Sequence, residues 1–191
     1  MRWTNAPADL PLQPMAALQQ HMPQIADALT EGQGLQVVVP DSVRAAVTAH
    51  LRCSGEEQGG LLVGEVFADD PAAIETCRVV VVRQAIAALD FSSSGISLRM
   101  ESGVWERARL SRRPDELVVG WYHSHPGLGA FFSSTDRRTQ AAFFPHPYSL
   151  GWVVDPLRGD EAFFVGRDCA NPRALLRIDD RGACDRSPAP T

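Results

Sequence analysis

Short apolar blocks of two different periods follow one another along this chain, separated by glycine, proline and charged residues. Leu35-Gln36-Val37-Val38-Val39 reads as a strand that ends at Pro40, and Asp41 or Ser42 can cap a helix running through about Leu51. Gly59 to Val66 is a second strand, rich in glycine at its start. A third runs near Cys77–Val82, where four consecutive valines from Val79 to Val82 predict burial on both faces. Ile96–Met100 is a further strand candidate. Ser102 to about Leu110 fits a helix with Val104, Trp105 and Ala108 on one side, and Pro114-Asp115 is a turn. Leu117 to His123 reads as a strand, and Ser134 to Phe144 as a helix stopped by Pro145. Leu150–Val154 and Ala162–Val165 are two more strands, linked by residues 155–160.

Residues 1–33 are set apart as an N-terminal extension. Pro7, Pro11, Pro14 and Pro23 interrupt them, yet Leu18, Met22, Ile25 and Leu29 recur at helical spacing, which predicts one or two short helices. Gly32 and Gly34 end that segment. The pattern places a compact domain at residues 34–182 and a disordered tail at residues 183–191. Strands and helices are mixed, with several hairpin-length connections, so the expected class is α/β or α+β, a sheet flanked by helices. There is no internal repeat.

Composition narrows the picture. A length of 191 residues with 45% hydrophobic residues suits one domain with its own core. The net charge of −5, without a long run of one sign, points away from nucleic acid and membrane surfaces as partners. No stretch reaches the roughly 18 apolar residues of a membrane span, and Met1-Arg2-Trp3-Thr4 does not lead into a signal-peptide core. A cytoplasmic location is therefore expected. Cys53, Cys77, Cys169 and Cys184 form no Cys-x-x-Cys pair and are read as reduced and structural. All 18 basic residues are arginine; the chain has no lysine. A GC-rich genome explains that, and so would work beside a ligation system that attaches modifiers to lysine amines.

The densest chemistry lies between Gly120 and Asp136. His123 and His125 are two apart at the end of a strand, so both point to one face, about 6.7 Å apart at the backbone. Imidazoles so placed can converge on one ion at roughly 2.0–2.1 Å each. Asp136 falls in the first turn of the next helix, where a short loop could bring its carboxylate to the same ion. Two nitrogens and one oxygen leave a fourth position for water, the mark of a catalytic rather than a structural zinc site. Each part also has a plain reading. A lone His-x-His is commonly a surface pair, and Ser133 and Asp136 stand at capping-box spacing. Ser134 is a second candidate for the helix cap, and Ser124 is expected to face away from the two histidines.

Taken together, His123, His125, Ser133 and Asp136 resemble the signature of the JAMM metalloproteases, the catalytic branch of the MPN (JAB) domain family: His-x-His, seven residues, Ser, two residues, Asp. Glu57-Gln58-Gly59-Gly60-Leu61-Leu62-Val63-Gly64 is similar to that family's upstream Glu-x-x-Gly-x-Leu-x-Gly segment, as are Gly120-Trp121-Tyr122-His123-Ser124-His125-Pro126 and Val153-Val154-Asp155-Pro156. The likeness covers roughly Leu35 to Gly166. It implies an MPN/JAB, cytidine-deaminase-like fold with a central mixed sheet, and one Zn2+ per chain on His123, His125 and Asp136. It also makes Glu57 the general acid/base and Ser133 the oxyanion donor. Glu56 is adjacent, but only Glu57 has the family's spacing to Gly60. His21, His50 and His146 match no part of the pattern, and Phe131 and Phe132 are expected in the core or at a groove rim.

The resemblance further implies peptidase or isopeptidase action after the C-terminal glycine of a ubiquitin-like protein, in deconjugation or precursor maturation. The few residues between Asp155 and the following strand leave no room for the second insertion of proteasomal and endosomal relatives. That favours a compact bacterial enzyme acting with ubiquitin-like activating and conjugating enzymes in antiphage defence. The alternatives are a protease that trims a sulfur-carrier protein and a non-catalytic MPN scaffold. Scaffolds typically lose metal residues, and this chain keeps them all.

Overall fold

The computed structural model describes residues 10–32, 34–88, 102–179 and 183–187. In chain order the elements are β1 (Gln13–Pro14), α1 (Met15–His21), α2 (Pro23–Ala28), β2 (Gln36–Pro40), α3 (Asp41–Leu51), β3 (Gly59–Ala68) and β4 (Cys77–Ala87). They continue with α4 (Ser102–Ser111), β5 (Leu117–Ser124), α5 (Ser134–Phe143), β6 (Leu150–Asp155), β7 (Asp160–Val165), β8 (Ala174–Ile178) and β9 (Cys184–Ser187). The strand candidate Ile96–Met100 lies outside the described residues.

The strands form one mixed sheet in the order β7-β6-β5-β3-β4-β2-β8-β9, with β1 added parallel to β3. Two parallel regions, β5 with β6 and β2 with β4 and β8, flank the antiparallel β3–β4 hairpin. The β5–α5–β6 crossover is a βαβ unit, and it puts the carboxyl ends of β5 and β6 side by side, where open α/β sheets bind their ligands.

Alternation along the strands separates two faces. Val37, Val39, Val80, Val82, Tyr122 and Trp152 pack with Val43, Val47 and Leu51 of α3 on one. On the other, Leu61, Val63, Trp121 and Val153 pack with Val104 and Ala108 of α4 and with Phe132 and Phe144. Further along that face, Val38, Phe67, Val79, Val81 and Leu176 receive Leu18, Met22 and Ile25 from the N-terminal helices. Because β4 is covered on both sides, its four valines have no polar alternation. Burying each such side chain contributes roughly 1.5–3 kcal/mol before entropy is counted.

The polar tail departs from expectation. Cys184–Ser187 has no strand-like pattern, yet it pairs antiparallel with β8, Ile178 opposite Cys184 and Leu175 opposite Ser187. The backbone ladder with β8 holds it as an edge strand, and Cys184 packs against the cluster that receives the N-terminal helices. No helix among the described residues is long and apolar enough to cross a membrane.

Candidate metal centre

The period of β5 sets the site. Trp121 and His123 face α5, while Tyr122 and Ser124 face α3, as the sequence alternation requires. Beyond the strand, the His125 N–H donates to the Val154 carbonyl at 3.0 Å, so the second histidine is held by β6. The chain then reverses through Gly127 and Gly129, both at positive φ (77° and 91°).

Asp155, fully buried at the end of β6, fixes this reversal. Its Oδ1 accepts from the N–H groups of Gly127 (3.0 Å), Leu157 (3.0 Å) and Arg158 (3.2 Å), and its Oδ2 from that of Gly129 (2.8 Å). Burial works to raise its pKa, but the four donors hold the carboxyl down at about 2.

Asp136 is positioned by a capping box. Ser133 is the N-cap, its Oγ accepting the Asp136 N–H at 3.2 Å, while Asp136 Oδ2 accepts the Ser133 N–H at 2.7 Å. The cap and the aspartate's approach to the histidines are one arrangement and not competing readings: Asp136 Oδ1 lies 3.3 Å from His123 Nε2, and Oδ2 lies 3.5 Å from His125 Nε2. The two Nε2 atoms are 3.2 Å apart. All three residues are buried, and together they form a group able to hold a metal ion. Two atoms bound at 2.0–2.1 Å to a tetrahedral ion stand about 3.3–3.4 Å apart. The separation of the two Nε2 atoms and that of Oδ1 from His123 are close to that figure, the carboxylate reaches His125 through its other oxygen, and an imidazole–imidazole–carboxylate donor set suits zinc.

The electrostatics agree with a cation site. Burial and the neighbouring His123 lower the pKa of His125, against the pull of Asp136 and Glu57. For Asp136 burial opposes ionisation, yet its contacts with His123 and Ser133 bring the pKa below the ordinary value. The site thus favours a neutral His125 and an ionised Asp136, the states that bind a metal.

Glu57 sits differently. It lies in the irregular segment before β3, half exposed, with Oε1 3.9 Å from His125 Nε2. That segment is tied to β5 by a reciprocal pair. Ser124 N–H donates to the Gln58 carbonyl, and Gln58 N–H donates to Ser124 Oγ, each at 2.9 Å. Ser124 therefore faces away from the histidines and still places the neighbouring glutamate.

Other expected residues fall as follows. Phe132 is buried in the core, and Phe131 is partly exposed with its ring 5.0 Å from that of His125. His50 Nδ1 lies 3.0 Å from the Tyr122 hydroxyl on the α3 face, and His146 is stacked on Tyr148 in an exposed turn. The structure adds two residues that the sequence pattern did not single out. Trp121 stacks on His123 (4.4 Å between centroids, 8° between planes), and its Nε1–H donates to Gln140 Oε1 at 2.7 Å. The signals available were the alternation that puts Trp121 on the face of His123 and the one-turn spacing of Gln140 from Asp136.

Comparisons with known proteins agree with this geometry. The family model described as prokaryotic homologs of the JAB domain matches residues 40–163. The 26S proteasome regulatory subunit rpn11 of Schizosaccharomyces pombe is 40% identical over 105 residues, which are 52% of this chain and 31% of that protein. A Saccharomyces cerevisiae protein named ubiquitin carboxyl-terminal hydrolase RPN11 is 36% identical over 104 residues, again 52% of this chain and 31% of the relative. The chain thus spans about a third of the length of these curated relatives. A solution structure of a protein from Desulfitobacterium hafniense superposes with a TM-score of 0.57 at 20% identity, over 75% of this chain and 94% of the other, a likeness of fold. The matched stretch runs from the start of α3 into β7 and holds every residue of the His-His-Asp group, so the chain belongs to the prokaryotic JAB-domain branch of the JAB/MPN family.

Proposed function

We propose that this chain is a JAMM-type zinc metalloprotease that hydrolyses the peptide or isopeptide bond after the C-terminal glycine of a ubiquitin-like modifier. The observation that carries the reading is the buried convergence of His123 Nε2, His125 Nε2 and the Asp136 carboxylate, with Glu57 beside them. When bound, zinc lowers the pKa of its water ligand toward neutrality and polarises the scissile carbonyl. Glu57 takes the proton of the attacking water and returns it to the leaving amine. Its partial exposure suits a group that must exchange protons with substrate. Ser133 Oγ already accepts the Asp136 N–H, so its hydroxyl hydrogen remains for donation to the oxygen that gains charge in the transition state.

Support for the substrate class comes from the relatives, one of which is named a ubiquitin carboxyl-terminal hydrolase. The β6–β7 connection spans only residues 156–159, which suits a compact enzyme that reads the modifier's tail more than a chain linkage. A lysine-free sequence suits a cytoplasmic place beside activating and conjugating enzymes, as in an antiphage operon, because it offers no side-chain acceptor. The test is cleavage of a ubiquitin-like protein fused to a short C-terminal peptide, and of the same protein linked to a lysine amine. Both are expected to be cut, with loss of cutting in a chelator and in Glu57→Ala, while Glu57→Ala keeps its zinc. A fully active Glu57→Ala enzyme would sink the mechanism. Cleavage of the linear fusion alone would favour the trimming of a sulfur-carrier precursor.

A further inference from the structure

We propose that Gln140 is a positioning residue for the metal centre: through Trp121 it fixes the plane of His123 and so the direction of His123 Nε2. The inference rests on the reading of His123, His125 and Asp136 as metal ligands. A metal-bound histidine usually donates its second ring N–H to a carboxylate or carbonyl, and that bond sets the ring. Among the described residues no carboxylate or carbonyl meets His123 Nδ1, which is buried. Its plane is instead set by stacking. The Trp121 indole lies parallel at 4.4 Å, and the Phe132 ring is tilted at 5.9 Å.

An indole face holds a neighbour only if it is itself held. The Trp121 Nε1–H is fully buried and donates to Gln140 Oε1 at 2.7 Å. The orientation of the Gln140 amide is forced, because its Nε2 faces the carbonyls of Ser149 (3.1 Å), Gly166 (3.2 Å) and Phe144 (3.4 Å). Gly151 leaves room for this bridge. A Cβ there would come within 2.2 Å of the Phe132 ring and 3.2 Å of Gln140 Oε1.

The helix carries the second argument. A helix usually docks through an apolar stripe. The buried residues of α5 are Asp136 and Gln140, polar and one turn apart on the same face. The first meets the histidines directly, and the second reaches one of them through an indole. The buried side of α5 is thus given over to the metal centre.

The probe is Zn2+ itself, titrated against a chromophoric chelator at fixed neutral pH. Gln140→Met keeps the bulk without the amide and is expected to bind zinc about 10–100-fold more weakly, with kcat falling more than KM rises. A residue that served only stability would lower the melting temperature of the metal-free protein and leave the affinity of the folded protein unchanged. Wild-type affinity in folded Gln140→Met therefore overturns the proposal. If that variant does not fold, Trp121→Phe and Trp121→Leu decide: the aromatic face should keep more affinity than the leucine, and equal affinities refute the role. In the Trp121→Phe background, Gln140→Met should add little; a full additional loss would show that Gln140 does not act through Trp121. Failure of the wild type to bind zinc, with Asp136→Ala no different, would overturn the metal reading and this inference together. Zinc lost in Asp136→Ala but unaltered in Gln140→Met would overturn this inference alone.

Discussion

Asp136 and Glu57 are the two carboxylates of the site, and they are held in opposite ways. Asp136 is buried, capped, and in contact with both histidines through separate oxygens. Glu57 is half exposed on an irregular segment, 3.9 Å from His125. A ligand must stay where the ion is, so helix, cap and burial combine to fix it. In the mechanism proposed above Glu57 carries a proton, and a carrier has to meet water at one stage and the leaving group at another, which needs slack. What anchors Glu57 is its neighbour, Gln58, whose N–H and carbonyl bond to the Ser124 hydroxyl and N–H.

Substitutions can break this contrast. Asp136→Ala has the largest expected effect: zinc affinity falls by more than about 100-fold and cleavage drops to background, read by metal analysis and a fusion-cleavage assay. Glu57→Gln should keep its zinc and lose about 10²–10⁴ in kcat, which separates carrier from ligand. Ser133→Ala is expected to cost about 10²–10³ in kcat through the lost hydroxyl donor, and about 1 kcal/mol of stability through the lost cap. A loss of stability with kcat intact would leave Ser133 as a cap and nothing more.

Asp155→Asn is expected to have the smallest effect on the chemistry, and it tests the rigid side of the site through pH. The Asp155 pKa is depressed in the fold to about 2, so its stabilisation is present above the ordinary carboxylate pKa and is lost as pH falls through about 2. Acid melts should therefore show wild type and Asp155→Asn converging between about pH 4 and pH 2, with wild type the more stable above that window. Parallel curves throughout would contradict the role given to Asp155.

Much of this was legible in the sequence, for definite reasons. The period of two in β5 placed His123 against Tyr122 on opposite faces, and four valines in a row marked β4 as covered on both sides. Asp136 was legible because capping and approach to the histidines need the same position in the first turn. What escaped depends on partners distant in sequence. β9 is set by its pairing with β8, a partner the tail's own pattern does not announce. Trp121 and Gln140 meet across 19 positions, and nothing local to either residue announces the other. Asp155 was visible as part of a motif, but its four donors belong to two loops that only the β5–β6 pairing brings together.

Those four bonds also have a mechanical meaning. The reversal after His125 and the β6–β7 turn hang on one carboxylate, so neither can swing without the other and without breaking several short bonds at once. Leu128, Phe131 and Leu157 are exposed on or next to these two segments, and the Phe131 ring lies 5.0 Å from that of His125. The two loops beside His125 are thus tied at one point and move as a unit.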